Sequence, residues 1–225
     1  MYKLLIVTFL LNCFYSVSQL DSYKENSWGG ILWRHTVNSN LNFSIDAGHR
    51  TFDNFTRRKR QDLVRVFIER KLSPKNSIGI GVAYFESIKQ NSDLYLSEFR
   101  PFIQYQFLRN NEKNVIGFRF RNEVRYYIDS KKFVNRSRVQ LSYELKTSKK
   151  QFSPRIAIEG FVSALKTPIV EQRFSLGNTF IISKVIHLFA FYTLQFQSNI
   201  KENNRQVAQN IFGILLTVNT KNNDN

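Results

Sequence analysis

From Leu41 onward the chain repeats one pattern, in which runs of ten to fourteen residues place apolar side chains at every second position and polar ones between them. Side chains on an extended strand point alternately to opposite faces, so this period specifies strands with one apolar and one polar face, not amphipathic helices. Leu41, Phe43, Ile45 and Ala47 interleave with Asn42, Ser44, Asp46 and Gly48, and Val64, Val66 and Ile68 stand against Arg65 and Glu69. Ile78, Ile80, Val82 and Tyr84 follow, then Phe99, Ile103, Tyr105 and Phe107 opposite Glu98 and Arg100. The alternation is sharpest where Ile116, Phe118, Phe120, Val124 and Tyr126 flank Arg119, Arg121, Glu123 and Arg125. Val139, Leu141, Tyr143 and Leu145 then alternate with Arg138 and Glu144, and Ile156, Ile158 and Val162 with Arg155 and Glu159. Runs beginning at Phe174 (against Arg173), Leu188 and Phe212 bring the expected number to ten strands between Leu41 and Thr220.

The connections alternate too. Short turns are expected at Ser73–Asn76, Arg109–Lys113, Lys146–Phe152 and Ser183–Val185, and longer polar loops near Thr51–Arg60, Glu86–Asp93, Ile128–Asn135, Lys166–Glu171 and Ser198–Gln206. Short turns on one rim and long loops on the other describe an all-β, antiparallel, up-and-down transmembrane barrel of about ten strands, within a range of ten to twelve. An even count also puts both barrel ends on one side. Asn26 to Val37 does not fit this count, because it reads as a further strand followed by the tight turn Asn38-Ser39-Asn40. It is expected either to lie across the lumen or rim, or to belong to a twelve-stranded barrel. Asn122 and Asn178 fall in the apolar phase, which points to a bulge or a rim position at each.

Alternation alone does not distinguish a barrel that is apolar outside from one that is apolar inside. Side-chain bulk does: 21 Phe, 10 Tyr and 2 Trp supply many of the apolar positions, and ten strands of that bulk would overfill a small interior, whereas lipid accepts any size. The polar phase carries small residues such as Gly79, Gly81, Ala83, Ser142, Ala157, Ser175 and Gly177 among its charges. Ten to fourteen residues also suit a tilted strand that crosses hydrocarbon in roughly 9–11. The alternative is a soluble periplasmic barrel binding a small ligand.

Residues 1–18 carry Lys3, the apolar run Leu4–Leu11 and small residues at Ser16 and Ser18, the layout of a secretory signal peptide. The expected division is that signal, an N-terminal segment 19–40 with one extra strand, a barrel over 41–220 and a polar tail 221–225. Cleavage removes the only cysteine, Cys13, so neither a disulfide nor a thiolate metal site is expected. A formal charge of +16 allows an anionic partner. Export directs that expectation toward membrane lipid and lipopolysaccharide and away from nucleic acid.

The segment Trp28-Gly29-Gly30-Ile31-Leu32-Trp33, the turn after it, the strand ending Gly48-His49-Arg50 and the arginine-rich polar faces resemble the domain of unknown function 2490 family of bacterial outer-membrane barrels. The resemblance implies a bacterial outer-membrane location and insertion by the barrel-assembly machinery. It brings no catalytic motif.

The three histidines, His35, His49 and His187, have no metal-pair spacing, and no metal or cofactor is expected. His49, with Ser44 and Asp46 before it, offers the parts of a lipid- or lipopolysaccharide-modifying hydrolase at the outer rim, but no nucleophile motif accompanies them and the chain is not read as an enzyme. The polar face supplies Arg65, Glu69, Glu98, Arg100, Arg119, Arg121, Glu123, Arg125, Arg138, Glu144, Arg155, Glu159 and Arg173. These residues make either a structural plug of ion pairs or an anion-selective constriction, since arginine outnumbers glutamate among them. The basic run Arg57, Arg58, Lys59 and Arg60 is placed in the first long loop or just inside its strand, where it could meet lipopolysaccharide phosphates. The functional expectation is an outer-membrane barrel acting as a structural element or narrow channel.

Overall fold

The computed structural model describes residues 20–52, 59–88, 94–147, 152–164, 169–199 and 206–221. The expected signal segment, Cys13, Arg57 and Arg58 lie outside the described residues. Eleven strands follow in chain order: β1 (Leu20–Asn38), β2 (Leu41–Phe52), β3 (Lys59–Lys71), β4 (Asn76–Ile88), β5 (Tyr95–Asn110), β6 (Asn114–Tyr127), β7 (Lys132–Leu145), β8 (Phe152–Ala164), β9 (Ile169–Ile181), β10 (Ile186–Asn199) and β11 (Gln206–Lys221). They form one closed barrel, each strand hydrogen-bonded to its chain neighbours and β1 to β11. Closure leaves no unpaired sheet edge.

Strands β2 to β11 are the ten read from the alternation, and the count of ten is corrected by β1. Asn26 to Val37 neither crosses the lumen nor implies a twelfth strand. It is a full wall strand, antiparallel to β2 and parallel to β11 in a register running from Ser22↔Val207 to Thr36↔Lys221. An odd strand number forces this one parallel pair, so the fully antiparallel expectation fails at the seam. The two barrel ends therefore lie on opposite rims: β1 begins beside the longer connections, and β11 ends beside the short turns.

Several of the expected loops are shorter because the strands run further. Between β6 and β7 only Ile128–Lys131 remain as a turn, with Lys131 at φ 51°, a left-handed conformation uncommon for a residue with a Cβ. The ladder runs in register through Asn122 and Asn178, so neither marks a bulge. Asn122 instead donates to Ser137 Oγ at 2.9 Å on the outer face.

The outer face is apolar on every strand pair, with Ile80 61%, Leu176 60% and Leu141 56% exposed. Aromatic rings mark both of its margins. Tyr126 stacks on Phe133 at 4.6 Å near the loop rim, while Trp33 meets Phe43 edge-on and Phe152 meets Phe180 near the turn rim. The inner face is polar but not uniformly so. Phe67, Phe102, Phe161, Phe189 and Phe191 also point inward, and the wall makes room for them with glycine. A Cβ on Gly213 would lie 2.0 Å from Phe191, and one on Gly81 would lie 2.5 Å from Phe67 Cβ and 2.7 Å from Phe102.

Candidate functional site: an arginine-lined lumen

All thirteen charged residues read from the polar phase face the barrel interior, where one network gathers five of them, Arg119, Glu123, Arg138, Glu159 and Arg173. Glu123 binds Arg136 and reaches Arg138 at 3.7 Å. Arg138 in turn reaches Glu159 at 3.8 Å, which also takes Arg119 at 2.9 Å and Arg173 at 3.7 Å. Arg173 ends the chain on Glu171 at 2.5 Å. Beside this network Glu98 holds Arg100 at 2.6 Å and Arg125 at 2.9 Å, and Asp46 holds Arg65 at 3.4 Å. Glu69, Glu144 and Arg155 face the chamber nearer the short turns. The paired charges are gathered in clusters because an unpaired charge inside a closed wall carries a large desolvation cost.

The inward rings belong to the same network. Arg100 lies 3.6 Å from the Phe85 centroid, Arg121 4.4 Å from Phe102 and Arg173 4.4 Å from Phe161. An arginine over a ring face keeps its charge while losing water, so the phenylalanines hold guanidiniums without cancelling them. The polar-phase reading found the charges and passed over these rings, although three of the inward rings stand two residues from an inward charge: Phe67 after Arg65, Phe102 after Arg100, Phe161 after Glu159.

Two chambers occupy most of the lumen among the described residues, and a smaller cavity of about 120 Å3 beside Trp28, Arg50 and Phe191 adjoins them. The loop-side one, about 260 Å3, is lined by nine arginines against two glutamates; the turn-side one, about 530 Å3, by five arginines against Asp46, Glu69 and Glu144. Arg65 and Arg121 line both and form the waist between them. Arg121 donates to the Gln104 amide oxygen through Nε and Nη2, at 3.1 and 2.6 Å. An amide oxygen orients a guanidinium without neutralising it.

The basic run expected in the first loop divides in two. Lys59 faces outward and is held by Asp62 and Glu86, both at 2.6 Å, so its charge is already matched. Arg60 is the extra residue of a β-bulge between Arg50↔Gln61 and Thr51↔Lys59. The bulge turns it into the lumen beside Gln61, where it donates to Asn26 Oδ1 and Gln209 Oε1. Arg50, Arg60, Arg136, Asp46 and Glu171 are lumen residues missing from the expected set. All but Arg60 continue the phase of an inward neighbour; for Arg50, Arg136 and Glu171 that signal was lost where strand ends were taken for loops or left unextended, while Asp46 stood on the polar face already read for its strand.

His49 points outward, its Nδ1 2.5 Å from Asp62 Oδ1, while Ser44 and Asp46 point inward from the same strand. The three parts of the hydrolase reading stand on opposite sides of the wall and do not meet. Among the described residues no cluster of metal-ligating side chains occurs.

The family model described as "Protein of unknown function (DUF2490)" matches residues 25–206. Among curated proteins none matches the sequence. Among solved structures, the NanC porin is 12% identical with TM-score 0.48, over 82% of this chain and 94% of that one. Outer-membrane expressed OmpT of Vibrio cholerae is 10% identical with TM-score 0.44, over 71% of this chain and 54% of that one. The anion-selective porin from Comamonas acidovorans is 12% identical with TM-score 0.37, over 79% and 55%. This chain thus spans about half the length of the latter two.

Proposed function

The chain belongs to the DUF2490 family, and from that premise we propose that it is an outer-membrane barrel forming a narrow, anion-preferring passage. The observation that carries this reading is the waist. Two chambers meet at Arg65 and Arg121, and Arg121 has a neutral partner, so positive charge stands at the junction an ion crosses between them. A plug made only of ion pairs would have matched that charge with a carboxylate.

Membrane placement is supported by the outer surface. A continuous apolar belt around a closed sheet exceeds the few hundred Å2 that a soluble monomer exposes, and its two aromatic margins suit the two interfaces of a bilayer. Among the described residues the charged interior shows no apolar cavity of the kind a soluble ligand-carrying barrel encloses.

The test is planar-bilayer recording of the refolded protein across a salt gradient. The reading expects discrete steps with a reversal potential on the anion side. Cation preference, or insertion without steps, overturns it.

A further inference from the structure

We propose that the loop-side chamber, where it adjoins the small cavity beside Trp28, holds a built oxyanion site formed by Arg50, Arg60 and Arg173 that takes a small dianion of the phosphate class. The site deepens the anion-passage reading and rests on it for access from the rim.

Its first support is how the guanidiniums are held. Arg50 Nη1 donates to Gln61 Oε1 at 2.7 Å, Arg60 Nη1 to Asn26 Oδ1 at 2.9 Å and Gln209 Oε1 at 3.0 Å, and Arg173 Nε to Gln195 Oε1 at 2.9 Å. Every one of these acceptors is an amide. Two of the amides are fixed in turn, Gln61 by donating to Ser87 Oγ at 2.6 Å and Asn26 by donating to Gln209 at 3.3 Å. Since arginine only donates, the amide oxygens must face it. These amides aim the guanidiniums without neutralising them. Glu171, with Glu159 further off, offsets Arg173, and among the described residues no carboxylate pairs with Arg50 or Arg60, whose positive charge a ligand would match.

The second support is Trp28. Arg50 lies 4.1 Å and Arg173 5.1 Å from its ring centroid, so the two guanidinium carbons are no further apart than the sum of those distances. A single oxyanion can bridge such a pair through charge-assisted hydrogen bonds of roughly 2.7–2.9 Å. Trp28 Nε1 is buried without an acceptor in the described structure, and it supplies a further donor of the kind an oxyanion satisfies. The third support is the bulge at Arg60, which sets a third cation into the chamber where a regular strand would have turned it outward. Donors from β1, β2, β3 and β9 suit a tetrahedral oxyanion better than a planar monocarboxylate, and two unmatched charges suit a dianion better than a halide.

Trp28 makes the site readable. The chain has 2 tryptophans, so Trp33→Phe leaves Trp28 as the only one. That variant, refolded in a phosphate-free detergent, is titrated with inorganic phosphate above its second ionisation and with chloride at matched ionic strength. The expected result is a saturable change in Trp28 emission with phosphate and none with chloride. Binding should weaken about tenfold or more in Arg60→Gln, as loss of charge-assisted hydrogen bonds implies, and stay unchanged in Arg155→Gln, which lies in the other chamber. Arg50→Gln serves if Arg60→Gln does not fold. A non-saturating response, an equal response to chloride, or full affinity in a folded Arg60→Gln overturns the site. Anion preference in potassium chloride is recorded separately: if it persists while phosphate binding is absent, the site fails and the passage stands.

Discussion

Arg121 and Arg138 stand directly opposite each other across the β6–β7 ladder, a pairing of like charges that destabilises a sheet unless each has another partner. Arg138 is shared between Glu123 and Glu159, while Arg121 turns to the Gln104 amide. The lumen is therefore balanced around a few carboxylates, and the waist cation is kept separate from them.

Glu123 is the most consequential of these carboxylates. Glu123→Gln leaves Arg136 unmatched and removes one of the two carboxylates shared by Arg138, beside an already unneutralised Arg121. It should destabilise the barrel by about 3–5 kcal/mol, the usual cost of breaking a buried pair. Denaturant unfolding in micelles should show a clearly lowered midpoint, and the same midpoint as the parent would contradict the network. Glu144→Gln, outside that network, should change little.

Glycines under inward rings should not tolerate a methyl group. At Gly81 a new Cβ would lie 2.5 Å from Phe67 Cβ and from the Val66 carbonyl oxygen, both rigid neighbours, whereas at Gly160 nothing lies within 4 Å. Gly81→Ala should therefore cost roughly 1–3 kcal/mol as overpacking, and Gly160→Ala should be neutral or slightly stabilising. Heat-modifiability on a gel separates the two, and equal behaviour would refute the packing argument.

The waist gives a conductance prediction. Arg121→Gln should keep the fold but reduce anion preference, and Arg121→Glu should move the reversal potential toward the cation side. Preference unaltered in both variants would place selectivity elsewhere.

The parallel seam makes a topological prediction. Single cysteines at Glu25 and Ser39, the two ends of β1, should label from opposite faces of the membrane. With the longer loops outside, Glu25→Cys should react with an impermeant maleimide on intact cells, and Ser39→Cys only after permeabilisation. Labelling of both from one side would restore an even-stranded barrel.

The period-two alternation was enough to read the ten strands β2 to β11, thirteen of their inward charges and the apolar outer belt. Side-chain direction on a strand is a local property with a fixed period, so composition along that period reports each face without any knowledge of the partner strands. Three features depended on partners distant in sequence. Whether β1 joined the wall was decided by β11, nearly the whole chain away, because a strand's neighbours are set by closure and not by its own residues. Arg60 faced inward only because a bulge against β2 shifted the phase by one, which no local period records. The inward phenylalanines fitted because glycines on adjoining strands left room for their rings. The sequence by itself determined which residues alternate; the closed sheet decided which of them meet, and so which cations remain unmatched in the lumen.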